Sequence, residues 1–277
     1  MFNKDVFIPL ITPFTPQGDV CRHSVRQLMQ QLQPHATGFV PCLTSGEGWL
    51  LSPSQWQDMV SYCVEFAAGK PVIAGIERPS TSEVITYADE AARLGATGII
   101  FTAPFYPDLP QAAIYNHFVQ VHDQTELDIH VYFESELCRN KWEVDTLLTL
   151  CALPRVVAIK ESNGEEKLAP HLRNIRRMGV KVYQGWEDKL LQYDHDGVMA
   201  SYCNLDPGHC AQVINHRDYG ENTLLVERCR QQGIFEPDWY KRVKTILFQQ
   251  GVIATDLTLD ALQEAKHHAH ASTPVSA

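Results

Sequence analysis

Eight apolar runs of strand length punctuate the chain, at residues 6–11, 38–42, 71–75, 98–102, 129–133, 156–160, 180–184 and 197–201. Between them lie stretches with helical spacing, among them 24–33, 52–67, 82–94 and 109–123. Runs that are apolar at consecutive positions read as strands buried on both faces, as in a parallel sheet covered by helices. Several helical stretches open on a capping signal: Ser52 precedes Pro53, and Ser80 or Thr81 precedes Glu83. Eight strand–helix units with short links imply right-handed parallel crossovers, which close into an α/β (β/α)8 TIM barrel. A doubly wound open sheet is the rival architecture, and it is weakened because no G-x-G-x-x-G follows the first strand.

With 277 residues the chain exceeds the roughly 250 that such a barrel needs. After the eighth run the pattern turns to helices only, at 222–232 and 239–249 with a third short one at 259–265. The expected organisation is a barrel over 1–218, a C-terminal helical region over 219–265 and a polar tail over 266–277. A metal site in the tail's histidines, His267, His268 and His270, is conceivable, but a frayed end is the simpler account.

Composition narrows the partners. A net charge of -10 argues against nucleic acid, whose binding rests on clustered Lys and Arg. No apolar run approaches the length of a membrane span, and the proline-broken opening at 7–11 is too short for a signal peptide. The eight cysteines are scattered without a C-x-x-C pair, as expected of reduced thiols in a cytoplasmic protein.

In a barrel the active site gathers at the carboxyl ends of the strands. The sixth run, Val156-Val157-Ala158-Ile159, delivers Lys160 to such an end, just before the polar turn Glu161-Ser162-Asn163-Gly164. By itself this is more readily a lysine that snorkels outward. If its amine instead faces a pocket, desolvation favours the free amine, which can attack a carbonyl carbon and form a Schiff base. The second run ends in Thr44-Ser45-Gly46-Glu47, whose hydroxyls and N–H groups suit a carboxylate, or merely cap a turn. The fifth ends near Tyr132, one strand from Lys160, so phenol and amine could address one substrate. The fourth runs into Pro104-Phe105-Tyr106, an aromatic loop at the same rim.

In this order the stretches resemble the dihydrodipicolinate synthase and N-acetylneuraminate lyase family of class I pyruvate aldolases, from about Val6 to Asp256. The resemblance is carried by Ile11-Thr12-Pro13-Phe14, Thr44-Ser45-Gly46-Glu47, Ile73-Ala74-Gly75, Pro104-Phe105-Tyr106, Tyr132, Ile159-Lys160-Glu161-Ser162, and Gly197-Val198 with Asn204 and Pro207. It implies that Lys160 is the Schiff-base lysine and Tyr132 the proton shuttle. Thr44 and Ser45 would hold the pyruvyl carboxylate and link Tyr132 to a second tyrosine, Tyr106, which in the family often reaches in from a neighbouring subunit. A homo-oligomer, dimer or tetramer, is therefore expected. Met199 would stand in the pocket wall. No metal and no organic cofactor is implied, because the protonated imine is itself the electron sink.

Synthases of that family usually follow the tyrosine with a turn carrying an arginine for the second substrate's carboxylate. Here the turn reads Glu134-Ser135-Glu136-Leu137-Cys138-Arg139, with Leu137 where the arginine would be. Were the chain extended beyond Tyr132, Glu134 and Glu136 would share its face and point into the pocket; otherwise both are solvated loop acids. A carboxylate pair suits a cationic substrate end. The expected activity is therefore cleavage of a 4-hydroxy-2-oxo acid to pyruvate and an aldehyde, an arginine-derived acid satisfying both features. Dehydration of a 2-oxo-3-deoxy sugar acid and synthesis in the condensation direction are the enzymatic alternatives. A retired oxo-acid-binding barrel is the non-enzymatic one, and the intact set of Lys160, Tyr132, Thr44 and Tyr106 argues against it.

Overall fold

The computed structural model describes residues 4–164 and 166–263; Ala265 and the histidine-containing stretch 266–277 lie outside them. Eight strands follow the expected runs: β1 (Asp5–Pro9), β2 (Gly38–Val40), β3 (Ile73–Gly75), β4 (Gly98–Phe101), β5 (Asp128–Phe133), β6 (Val156–Glu161), β7 (Lys181–Gln184) and β8 (Gly197–Val198). All pair in parallel, in the order β2-β1-β8-β7-β6-β5-β4-β3. A parallel bridge from Phe39 to Val72, with Gly75 N–H donating to the Pro41 carbonyl at 2.8 Å, joins β2 to β3 and closes the ring. The chain is a (β/α)8 TIM barrel, and the open sheet is ruled out.

The crossover helices are α1 (Arg22–Leu32), α2 (Pro53–Phe66), α3 (Thr81–Leu94), α4 (Gln111–Gln124), α5 (Val144–Leu150) and α6 (Leu172–Arg177); a 3₁₀ turn, Glu187–Lys189, lies between β7 and β8, and α7 (Pro207–His216) follows β8. Helix α2 begins with a full capping box, Ser52 accepting from the Gln55 N–H and Gln55 returning the bond. Such a cap is worth about 1 kcal/mol. Of the two candidates before Glu83, Ser80 is the cap of α3.

Side-chain direction alternates along each strand. Outward residues pack beneath the helices in the main core, while Phe7, Ile73, Ile100, Ala158, Tyr183 and Met199 are among those filling the barrel itself. Room is tight there: a Cβ at Gly38 on β2 would stand 2.5 Å from the Phe7 ring of β1. A full-size ring on one strand demands a glycine on its neighbour.

Beyond α7 come α8 (Tyr219–Gln231) and α9 (Trp239–Gln249), and residues 259–263 are helical. Helix α9 docks on the turn after β2. Lys244 on α9 is fully buried, bonded to the Glu47 carboxylate and, at 2.9 Å, to the Leu257 carbonyl. The other Glu47 oxygen accepts the Leu259 N–H at 2.6 Å. These bonds hold Glu47 in the left-handed region, at φ 58°, which a glutamate seldom adopts unaided. Among the described residues no helix is long and apolar enough to cross a membrane. All eight cysteines are free thiols.

Candidate active site

A cavity of about 380 Å³ opens at the carboxyl ends of the strands. Lys160 on β6 enters it with only 5% of its surface exposed. The residue pairs in register with Tyr132 on β5 and Tyr183 on β7. Its Nζ lies 4.3 Å from the centroid of the Tyr132 ring. Burial pulls the amine down to about 8, although the carboxylates of Glu77, Glu187 and Glu134 pull the other way. A lysine is thereby brought within reach of neutrality near physiological pH. Gly185 keeps the space beside it, since a Cβ there would lie 3.2 Å from Lys160 Cε and collide with the Ser162 hydroxyl.

The turn Thr44–Gly46, a single 3₁₀ turn after β2, forms the opposite wall. Thr44 Oγ1 stands 3.2 Å from Tyr132 Oη and donates a hydrogen bond to Glu77, just beyond β3. Ser45 Oγ is 2.8 Å from Ser201 Oγ, and Ser201 accepts the indole N–H of Trp239 on α9 at 2.8 Å. Burial, and then the nearby Glu134 and Glu77 carboxylates, push the Tyr132 phenol well above its ordinary value. A phenol held so firmly neutral is a donor, and accepts a proton only as it passes its own along.

Lys160, Tyr132, Thr44 and Ser45 line one cavity, with Glu134 and Glu136 beside them, while Tyr106 and Met199 lie outside it in this chain. Tyr106 is 57% exposed on the loop after β4 and lines a separate surface depression with Ser80 and His117. Within the subunit Thr44 finds Glu77 instead. The chain does not stay extended past β5, turning over 135–138, yet Glu134 and Glu136 still line the cavity together with Tyr132. Glu134 is buried, its two oxygens accepting the N–H groups of Leu137 at 2.8 Å and Cys138 at 3.2 Å, which fixes the turn. Glu136 is exposed at the cavity's edge. Met199, just after β8, is fully buried among the side chains that fill the barrel, such as Phe7, Ala158 and Tyr183, and does not line the cavity. Leu137 does line it, whereas Arg139, exposed and at φ 55°, does not.

Sequence reasoning missed Glu77, Glu187, Ser201 and Trp239. Glu77 carried a signal, an acid directly following the apolar run 71–76 at a strand exit. Glu187 is buried, accepts the Tyr202 N–H at 2.8 Å and is pushed up by burial to about 7. Ser201 and Trp239 meet across 38 positions, which no local pattern announces. The cavity's rim and walls carry Glu134, Glu136, Glu187 and Glu236, against Lys160 as the sole lysine or arginine among the described lining residues.

A closed parallel barrel with its polar cavity at the strand ends and a C-terminal helical cover is the architecture of the pyruvate-dependent aldolase and synthase barrels. The chain belongs to the dihydrodipicolinate synthetase family, whose pattern matches residues 3–272. It is 32% identical over 218 residues to the 4-hydroxy-tetrahydrodipicolinate synthase of Exiguobacterium sibiricum, covering 76% of this chain and 74% of that one. Its fold matches the chloride-inhibited dihydrodipicolinate synthase of Acinetobacter baumannii complexed with pyruvate, with TM-score 0.84, 22% identity and coverage of 99% and 94%. YagE, a prophage protein of the same family from E. coli K12 in complex with pyruvate, superposes with TM-score 0.82 at 19% identity, covering 92% and 91%. Membership makes this chain a class I pyruvate-dependent enzyme of the aldolase and synthase type, a family characterised by a lysine Schiff base.

Proposed function

We propose that the protein is a class I aldolase that cleaves a 4-hydroxy-2-oxo acid, with an uncharged or cationic far end, into pyruvate and an aldehyde. Lys160, as free amine, attacks the 2-oxo carbon, and loss of water leaves a protonated imine. The substrate carboxylate lies against the Thr44–Gly46 turn, where the first N–H groups of a helical turn lack internal partners and Ser45 adds a hydroxyl. Tyr132 takes the 4-hydroxyl proton as the C3–C4 bond breaks, the electron pair passing into the imine to give an enamine and free aldehyde. Protonation at C3 and hydrolysis release pyruvate and return the amine.

The observation that carries this reading is Lys160 buried beside Tyr132 with its basicity lowered to about 8. The cleavage direction and the charge preference are supported by a cavity carrying four glutamates and no arginine among its described lining. A second carboxylate, which a condensation like that named for the synthase relatives must hold, would enter this cavity unmatched and at high cost. A homo-oligomeric, cytoplasmic enzyme is part of the same proposal, in keeping with the family and with Tyr106 exposed at a rim.

The test is a panel of cationic, neutral and dicarboxylic 4-hydroxy-2-oxo acids, with products identified by mass and borohydride added to trap the imine. Pyruvate release from cationic and neutral members with reduction at Lys160 is the expected result. Dehydration without pyruvate, or preference for dicarboxylic members, would reject it.

A further inference from the structure

Among the described residues five glutamates are buried: Glu47, Glu77, Glu134, Glu161 and Glu187. Four accept backbone N–H bonds, Glu47 from Leu259, Glu134 from Leu137 and Cys138, Glu161 from Asn163 and Gly164, and Glu187 from Tyr202. Glu77 accepts none. Its single hydrogen bond comes from the Thr44 hydroxyl, and its other oxygen has no partner among the described residues. The neighbouring arginine does not serve it. Arg78 makes no hydrogen bond to the carboxylate, donating instead to the carbonyls of Gly48 at 2.7 Å and Leu51 at 3.0 Å and lying 4.4 Å over the Tyr87 ring, although its charge still favours the ionised acid.

A carboxylate so placed holds no loop together and costs stability to bury, so a structural role does not account for it. Its neighbours nevertheless leave room for it: a Cβ at Gly48 would come within 2.9 Å of the free Glu77 oxygen. The groups that act on it are Thr44 and Cys42 after β2, Arg78 beside it, Tyr132 on β5, Glu134 beyond β5 and Lys160 on β6. Thr44 carries one proton. If it donates to Glu77, it accepts from Tyr132, and the three oxygens form a chain of one direction, phenol to hydroxyl to carboxylate.

We propose that Glu77 ends a proton relay contained in one subunit, Tyr132 to Thr44 to Glu77, and acts through Thr44 as the group that stores the proton between the two halves of the reaction. As a proton leaves the substrate for Tyr132 Oη, the phenolic proton moves to Thr44 Oγ1 and the Thr44 proton to the Glu77 carboxylate, which becomes the neutral acid. The reverse shift delivers one proton to C3 of the enamine. No co-reactant is needed. The positioning residue gains from its setting: burial, opposed mainly by the Thr44 bond and by Lys160, brings Glu77 up to about 8, so that both protonation states are accessible near neutrality.

This inference rests on the Schiff-base reading of Lys160, and pyruvate alone tests both. In deuterated water the enzyme should exchange the methyl protons of pyruvate through the imine and enamine, read by NMR, while borohydride traps the adduct on Lys160. Glu77→Gln keeps an oxygen for Thr44 but stores no proton. It should retain the adduct and lose exchange by about 100-fold. Glu77→Asp should recover part of that loss. In the unaltered protein the exchange rate should climb with pH as two groups near 8, Lys160 and Glu77, lose protons; in Glu77→Gln a one-group dependence should remain. Should that variant fold poorly, Thr44→Val cuts the relay with Glu77 in place and should show the same loss. An adduct accompanied by undiminished exchange in either variant overturns the relay alone. No adduct on the unaltered protein overturns the Schiff-base reading, and the relay with it.

Discussion

Lys244 and Lys160 are both buried lysines near glutamates, yet they stand in opposite circumstances. Lys244 is tied to the Glu47 carboxylate, bonded to a carbonyl and set 4.2 Å from the centroid of the Phe14 ring. Lys160 has no ion pair among the described residues; its acids, Glu77, Glu134 and Glu187, act on it across the cavity, and it faces open space. The same side chain thus serves as a clasp where its charge is matched at contact and as a reagent where the match is withheld. What separates the two is the number of bonds made by the amine, not burial.

The sharpest way to break this comparison is to remove each lysine. Lys160→Ala should abolish turnover and the borohydride adduct with pyruvate, and an adduct on another lysine with activity intact would void the distinction. Lys244→Met should instead strand the Glu47 charge. Breaking a buried pair by one partner costs about 3–5 kcal/mol, so its urea midpoint should fall steeply, whereas Lys160→Met should leave the midpoint equal or higher. Equal losses of stability in both would show that Lys160 is a clasp as well.

Tyr132→Phe should slow cleavage by about 100-fold while imine formation persists, since the phenol moves protons and the amine does not depend on it for attack. Glu77 extends the contrast to pH. Its acid is held well above the ordinary value, to about 8, so the stability it contributes is complete below the unfolded value and is lost as pH rises through 8. Thermal midpoints of the unaltered protein should therefore fall relative to Glu77→Gln between pH 5 and 9, and a constant gap would contradict it. The smallest effect belongs to Glu136, which is exposed: Glu136→Gln should lower kcat/KM for a cationic substrate only a few-fold and leave a neutral analogue unchanged.

The barrel was legible because strand burial on both faces writes itself as consecutive apolar residues, and Lys160 and Tyr132 were legible because they interrupt or close such runs. The path after Tyr132 was not. Alternation predicts a shared face only while the chain remains extended, and Glu134 ends that extension by accepting two backbone N–H groups of the turn that follows. Glu77 escaped notice although it too closes an apolar run, because the resemblance directs attention to Tyr106 as the relay's next member. Met199 illustrates a different limit: sequence gives its strand but not its depth along the barrel axis.

The bond between Glu47 and Lys244 spans 197 positions, and the indole of Trp239 steadies Ser201, which in turn meets Ser45. During synthesis β2 and its turn therefore leave the ribosome long before the groups that immobilise them. Until α9 emerges, Glu47 has no counter-charge and Ser45 sits on an unsupported neighbour. The amine of Lys160 is consequently made before its pocket is finished, and the chain acquires a working geometry only once α9 has been made and closes over a site begun some two hundred residues earlier.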